Sequence, residues 1–452
     1  MTNPKIFKAY DIRGIYGQDL FEEDAYKIGR ACARFFQAKK IAVGRDIRES
    51  GPTLYEELKK GIAAEGTDVI DLGIITTPML YYASGTLDVD GAVILTASHN
   101  PAEWNGFKIC RKDAQPIGEN SGLLDIKKIA LEGDLSDTPA TGTITKHDIK
   151  KNYFDHFSSF MKLSDKKFKV VIDPANAMGV LELELYKRFQ DNIEVATIYG
   201  ELDSKFPSHE PNPLKTETLA DLQREVINQK ADLGIAYDGD GDRVGFVDEK
   251  GEIIPMDLIT GMIAKILLES NPGAKILYDL RSSMAVKEII EENGGISNET
   301  RVGHTLIKKQ MSDEQALFSG ELSGHYYFKE NFGAEAGSLP AIYLLNLMAE
   351  TGESISQLTK EVRRYFHSGE INSKVEDKDK ILEKLKETYS TGKISDFDGI
   401  KIYFWDEMPK GQRWWFNVRP SNTEPVLRLT LEADTKELME QKRDEVLAII
   451  RS

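Results

Sequence analysis

GAVILTASHNP, residues 91–101, runs an unbroken apolar stretch into a polar loop. Gly91 to Leu95 reads as a buried strand, and Ser98, Asn100 and Pro101 supply turn chemistry after it. In open α/β sheets the loops past the carboxyl ends of strands face the crevice where ligands bind, so Ser98 is well seated for a nucleophile. For the four residues Ser98 to Pro101 alone, a plain polar turn is the alternative.

Outward from that stretch, strands alternate with helices. A strand at 40–44 leads to a helix behind Pro52, with Leu54, Leu58 and Ile62 at helical spacing, and then to a strand at 69–73. The pattern recurs from a strand at 168–173 into a helix at 181–189, and again from 275–279 into a helix at 285–292. Three such modules, each roughly a hundred residues, imply three similar α/β domains with mainly parallel pairing inside mixed sheets. The small polar segment 133–142 reads as a linker. After Phe366 the pattern changes to a Lys- and Glu-rich helix at 378–388, strands at 400–405, 414–418 and 427–432, and a helix from Lys436. That last segment is α+β. The expected divisions are 1–142, 143–250, 251–366 and 367–452.

The 452 residues, 40% apolar and 29% charged, suit a globular chain of three or four domains. No apolar run reaches the roughly 18 residues needed to span a bilayer, and the start lacks a signal-peptide core, which places the protein in the cytoplasm. A net charge of −16 argues against nucleic acid or an anionic membrane as partner. An anionic ligand would need locally concentrated cations. Cys32 and Cys110 cannot form a disulfide framework.

Three further stretches carry chemistry. In DGDGDR, residues 238–243, alternation turns Asp238, Asp240 and Asp242 to one side, and the glycines let the backbone close around a cation such as Mg²⁺. A solvated acidic turn is the alternative. An EF-hand is discounted: Glu249 falls at its twelfth position, but Arg243 stands where glycine is required. In RPSNTEP, residues 419–425, Arg419 with Ser421, Asn422 and Thr423 offers a guanidinium and neutral donors to a phosphate, or else a turn. In GELSGH, residues 320–325, Glu321 and Ser323 can point together toward vicinal sugar hydroxyls, or cap a helix.

With these four motifs in this order, the chain resembles the α-D-phosphohexomutases, and within them the phosphomannomutase/phosphoglucomutase group. The opening FKAYDIRG, residues 7–14, is similar to that group's start. The resemblance implies four domains around a central cleft, each contributing one loop. It implies that Ser98 carries a phosphoryl group, with Mg²⁺ held by Ser98, Asp238, Asp240 and Asp242. Transfer to a hexose monophosphate would give a 1,6-bisphosphate, which also serves as activator, and its other phosphate would return to Ser98. By matching positions, Lys108 would do acid/base work and His99 would orient the phosphoserine. Arg13 and Arg243 would face the transferred group, while Tyr10, Arg281 and His304 would meet the substrate. Arg281 replaces the lysine of many members, and Glu335 is a lone acid where many have two aspartates. The expected function is a phosphomannomutase, with phosphoglucomutase activity as well, acting on a small phosphosugar as a monomer or homodimer. The alternatives are a phosphoglucosamine mutase, or a non-catalytic phosphosugar-binding or scaffold protein.

Overall fold

One chain path lays down each of the first three sheets. In the computed structural model, which describes residues 2–132, 141–421 and 426–452, the first path begins at strand Lys40–Arg45. Helix Gly51–Ala63 leads to strand Asp68–Ile74 on one side, and helix Thr77–Thr86 leads to strand Gly91–Leu95 on the other, both parallel to the first. A hairpin then returns as Trp104–Arg111, antiparallel. The second sheet repeats this with Phe168–Asp173, Ile193–Thr197, Leu233–Tyr237 and the returning Val244–Asp248. The third repeats it with Lys275–Asp279, Ile296–Thr300, Phe318–Gly320 and Tyr326–Phe328.

Parallel pairing is therefore confined to one half of each sheet. The other half is antiparallel, extended by Ile12–Ile15, Ile253–Ile254 or Ala334–Glu335, because a hairpin needs only a short loop where a parallel return needs a crossover. The sheets are mixed, as expected: parallel pairing is the larger share in the first sheet and an equal share in the second and third. Strand Ile144–Lys146 pairs in parallel with Asp68–Ile74, so the first sheet takes an edge strand from beyond residue 142, and the second takes Ile253–Ile254 from beyond residue 250. Of the expected linker, residues 133–140 lie outside the described residues.

The fourth sheet is wholly antiparallel, in the order Phe366–Lys374, Val426–Ala433, Trp414–Pro420, Ile400–Phe404, Lys393–Ser395. Helices Lys378–Thr388 and Lys436–Ile450 complete an α+β unit. Its core, with Ile402, Phe416, Leu429 and Val446, is separate. A shared apolar core, by contrast, runs through the first three units, from Ala42 and Ile94 through Ile172 and Ile235 to Ile276 and Phe318, and the first unit has a second core of its own around Ile28, Leu58 and Val93. No helix among the described residues is long and apolar enough to cross a membrane.

Candidate active site

Three of the four chemistry-bearing stretches occupy the same kind of place. Ser98 lies in the hairpin between Gly91–Leu95 and Trp104–Arg111, Asp238–Arg243 between Leu233–Tyr237 and Val244–Asp248, and Glu321–His325 between Phe318–Gly320 and Tyr326–Phe328. Arg419, near the end of strand Trp414–Pro420, and Ser421 just past it belong to the fourth sheet. In the first three, each loop leaves the carboxyl end of a parallel strand, where crevices form.

Ser98 is buried, and its Oγ donates to Asp238 Oδ2 at 2.9 Å. The other Asp238 oxygen accepts from the backbone N–H groups of Gly241, Asp242 and Arg243 at 3.0, 3.1 and 3.2 Å. Ser98 itself has φ 51°, a left-handed conformation costly for serine. Gly239 packs against it: a Cβ there would sit 2.2 Å from the Ser98 carbonyl oxygen. Gly241, at φ +79°, closes the acidic turn.

The three aspartates are fully buried, and each places an oxygen within 4.8 Å of the others. Asp240 Oδ1 is buried without a hydrogen-bond partner, an acceptor left over for a cation. The residues fit a hard divalent ion, and Ser98 shares an oxygen neighbour with the set. Burial, then Asp240 and Asp242, raise the Asp238 carboxyl to about 7. Lys108 donates to Asp240 at 2.7 Å and to Asp242. Burial opposes its charge, but Asp240 and Asp242 outweigh that and hold Lys108 firmly protonated. His99 is pushed the other way, by burial and by Arg243, Arg13 and Lys108, so it stays neutral with Nδ1 3.2 Å from Ser98 Oγ.

Arg13 pairs with Asp11 and donates to Asn100 Oδ1 at 2.6 Å and to the Ala97 carbonyl at 3.3 Å, so it braces the serine loop. The Arg243 guanidinium reaches to 3.9 Å from Asp238 Oδ2. On the loop at 320–325, Glu321 Oε1 accepts from the Gly303 N–H at 3.2 Å and Oε2 from Tyr327 at 3.1 Å. Ser323 Oγ lies 2.8 Å from His325 Nδ1. Tyr10 meets the His304 ring edge-on at 5.7 Å. His304 is 3.3 Å from the buried carboxylate of Glu335, which Lys308 also pairs at 2.9 Å, so the lone acid does keep a contact.

Arg281 is pinned by Asp279 and by Glu370 of the fourth unit, and Arg419 reaches the same Glu370 at 3.2 Å. Ser421 is buried, and its carbonyl accepts from Lys378 at 2.9 Å. Asn422 and Thr423, expected on the phosphate, lie outside the described residues. Glu249 accepts from the Ser354 hydroxyl and the Ser356 N–H at the start of helix Ile355–Val362.

Two residues given no role in the sequence reading stand at the centre. His325 bridges Asp242 at 3.2 Å and Glu321 at 3.0 Å; burial works against its charge, yet Asp242 carries it up to about 9. Its place at the end of GELSGH was the available signal. The second is Arg48, whose guanidinium donates to the carbonyls of Ser98, Asn100, Pro101 and Trp104 at 2.7, 2.7, 2.6 and 2.9 Å. Nothing local marks it, because every carbonyl it binds is about fifty residues away.

Comparison with known proteins places these loops in a wider setting. Residues 4–137, 151–251 and 255–365 match phosphoglucomutase/phosphomannomutase alpha/beta/alpha domains I, II and III, and residues 370–449 match the C-terminal domain of the same family. A phosphomannomutase of Methanocaldococcus jannaschii is 43% identical over 98% of this chain and 97% of its own length. A phosphomannomutase/phosphoglucomutase of Pseudomonas aeruginosa is 38% identical over 96% of this chain and 93% of its own. The crystal structure of a phosphoglucomutase/phosphomannomutase family protein from Burkholderia thailandensis superposes with a TM-score of 0.90 at 29% identity, covering 99% of this chain and 97% of the other.

Proposed function

Since this chain belongs to the phosphoglucomutase/phosphomannomutase family, we propose that it interconverts mannose 1-phosphate and mannose 6-phosphate, and the corresponding glucose phosphates, through a phosphoserine at Ser98. The observation that carries this reading is the buried Ser98 hydroxyl, 2.9 Å from one carboxylate of a three-aspartate cluster and 3.2 Å from His99 Nδ1, with Lys108 bonded to the other two aspartates.

Asp238, Asp240 and Asp242 would hold Mg²⁺ together with an oxygen of the Ser98 phosphate. Bound there, the ion neutralises charge on the transferring phosphoryl group. The protein's own residues do the rest. In the first transfer the P–O bond to Ser98 Oγ breaks as a sugar hydroxyl takes the phosphorus, and one proton passes from that hydroxyl to the serine oxygen. Lys108 serves as acid and His99, its Nδ1 3.2 Å from that oxygen, as proton acceptor, a pair whose environments push their proton affinities apart. The resulting hexose 1,6-bisphosphate turns over in the cleft, and its other phosphate returns to Ser98. Arg419 and Ser421, with Asn422 and Thr423, clamp the remote phosphate meanwhile, and Arg281 supports them. Glu321 and Ser323 hold the 3- and 4-hydroxyls that mannose and glucose share, while Tyr10 and His304 line the approach.

Intact mass of the purified protein tests this. A covalent phosphate should appear after exposure to hexose 1,6-bisphosphate, and both it and mutase activity should vanish in Ser98→Ala. Retained activity in that variant would refute the mechanism. Turnover of mannose 1-phosphate against glucose 1-phosphate measures which sugar is preferred.

A further inference from the structure

Glu370 stands on strand Phe366–Lys374 just past an irregularity in its pairing with Val426–Ala433, between His367 and Glu370. There one carboxylate meets three guanidiniums: Oε2 accepts from Arg281 at 2.9 Å and Arg419 at 3.2 Å, and Oε1 accepts from Arg428 at 3.0 Å. Arg281 comes from the third unit and is also paired with Asp279, so Glu370 ties the two units together through the cations expected to meet substrate. Burial resists its charge, but Arg281, Arg419 and Arg428 prevail, and Glu370 remains ionised.

Three guanidiniums converging on two oxygens form the cradle that a phosphate monoester would fill, since arginine forks match carboxylate and phosphate alike. We propose that Glu370 is an internal surrogate for the sugar's remote phosphate: it keeps Arg281 and Arg419 poised, and its charge weakens their hold on the incoming dianion. This rests on the reading of the Arg419 loop as the phosphate clamp. The consequence concerns affinity. Two or more negative charges must share one arginine cluster, and the repulsion limits how tightly phosphate is held. A bisphosphate that has to release, turn and rebind within one cycle profits from a clamp of restrained strength, because binding that is equal in ground and transition states does not raise turnover.

Glu370→Gln preserves the shape of the side chain and removes the charge. The probe is inorganic phosphate as a competitive inhibitor of the mutase reaction. Its inhibition constant should fall about 3- to 10-fold in the variant, with KM falling alongside it and kcat not rising, as expected from lifting one like-charge interaction near the surface. An unchanged or larger inhibition constant in folded Glu370→Gln overturns the proposal. Should that variant fail to fold, Glu370→Asp decides, because it keeps the charge but draws it back: tighter phosphate inhibition supports the surrogate role, and unchanged or weaker inhibition overturns it. Arg419→Ala separates this proposal from the reading beneath it. Undiminished phosphate inhibition in Arg419→Ala removes the clamp itself; weakened inhibition there, without tightening in Glu370→Gln, removes only the role of Glu370.

Discussion

A serine at φ 51° inside a buried loop must be held there, and the holder is Arg48. Its Nε pairs with Asp46 at 3.1 Å, its remaining donors take the four loop carbonyls, and the Phe206 ring lies 5.2 Å from the guanidinium. Five directed donors in a rigid plane suit that task, and a lysine could not replace them. Arg48→Met should lower stability by about 3–5 kcal/mol in urea unfolding, because it strands a buried Asp46. It should also cut kcat far more than it weakens Mg²⁺ binding by the three aspartates, which Arg48 does not touch. Lys108 poses a different residue-scale question. Lys108→Ala should reduce kcat by about 10²–10⁴-fold, the range for a lost acid/base group. Stopped-flow single turnovers with glucose 1-phosphate would show the loss in the transfer step and not in release.

Among the helices, Gly179–Lys187 has the most consequential placement. Its Glu182 is fully buried and accepts from Thr76 at 3.0 Å, Ser338 at 2.8 Å and Tyr153 at 3.2 Å. Thr76 caps helix Thr77–Thr86 and Ser338 opens helix Ser338–Thr351, so one carboxyl joins three units. Through Thr77, whose hydroxyl donates to Asp240 at 2.6 Å, the junction also supports the acidic loop. Burial raises Glu182 from 4.5 to about 7, with its hydroxyl donors only partly opposing. The folded state then holds this proton more tightly than the unfolded chain does. This group's contribution is therefore full below about pH 4.5 and is lost as pH rises to about 7, by up to a few kcal/mol. Urea titrations at a series of pH values should show Glu182→Gln flattening that decline. A variant with the parent's slope would place the proton elsewhere.

At the scale of the whole molecule, the first three units share an apolar core in addition to their own smaller ones, whereas the core of the fourth unit is its own. What joins the fourth unit to the third is chiefly polar. Lys401 and Tyr403 meet Glu299 at 2.6 and 2.8 Å, and the Met284 N–H donates to Glu432 at 2.9 Å. Among the described residues a small apolar cluster of Met284, Trp405 and Trp415, with Tyr365 and Tyr403 packed on it, accompanies them. Polar contacts of this kind exchange with water at small net cost, so the fourth unit should move as a body about the 366 region. Solution scattering should show a smaller radius of gyration with hexose 1,6-bisphosphate than without it; superimposable profiles would mark the junction as fixed.

Much of this was legible in the chain. The strand-then-helix periodicity marked three repeats and a different last unit, and the loops at 96–101, 238–243 and 320–325 stood out because each packs its polar groups into about six contiguous residues. The antiparallel half of each sheet was less legible, since short apolar runs do not state their direction. Residues whose partners are remote stayed silent: Arg48 binds a loop fifty residues on, Glu182 reaches Thr76 and Ser338 across 106 and 156 positions, and Glu370 reaches Arg281 across 89. Sequence by itself determined the strand-and-helix order and nominated the candidate side chains at 98, 238–242, 321–323 and 419–421, because type and local spacing are written in contiguous residues. Only the tertiary structure decided that Ser98 meets Asp238 across 140 residues, which groups carry protons and which arginines are already engaged, because desolvation and charge pairing exist only once distant segments share a buried space.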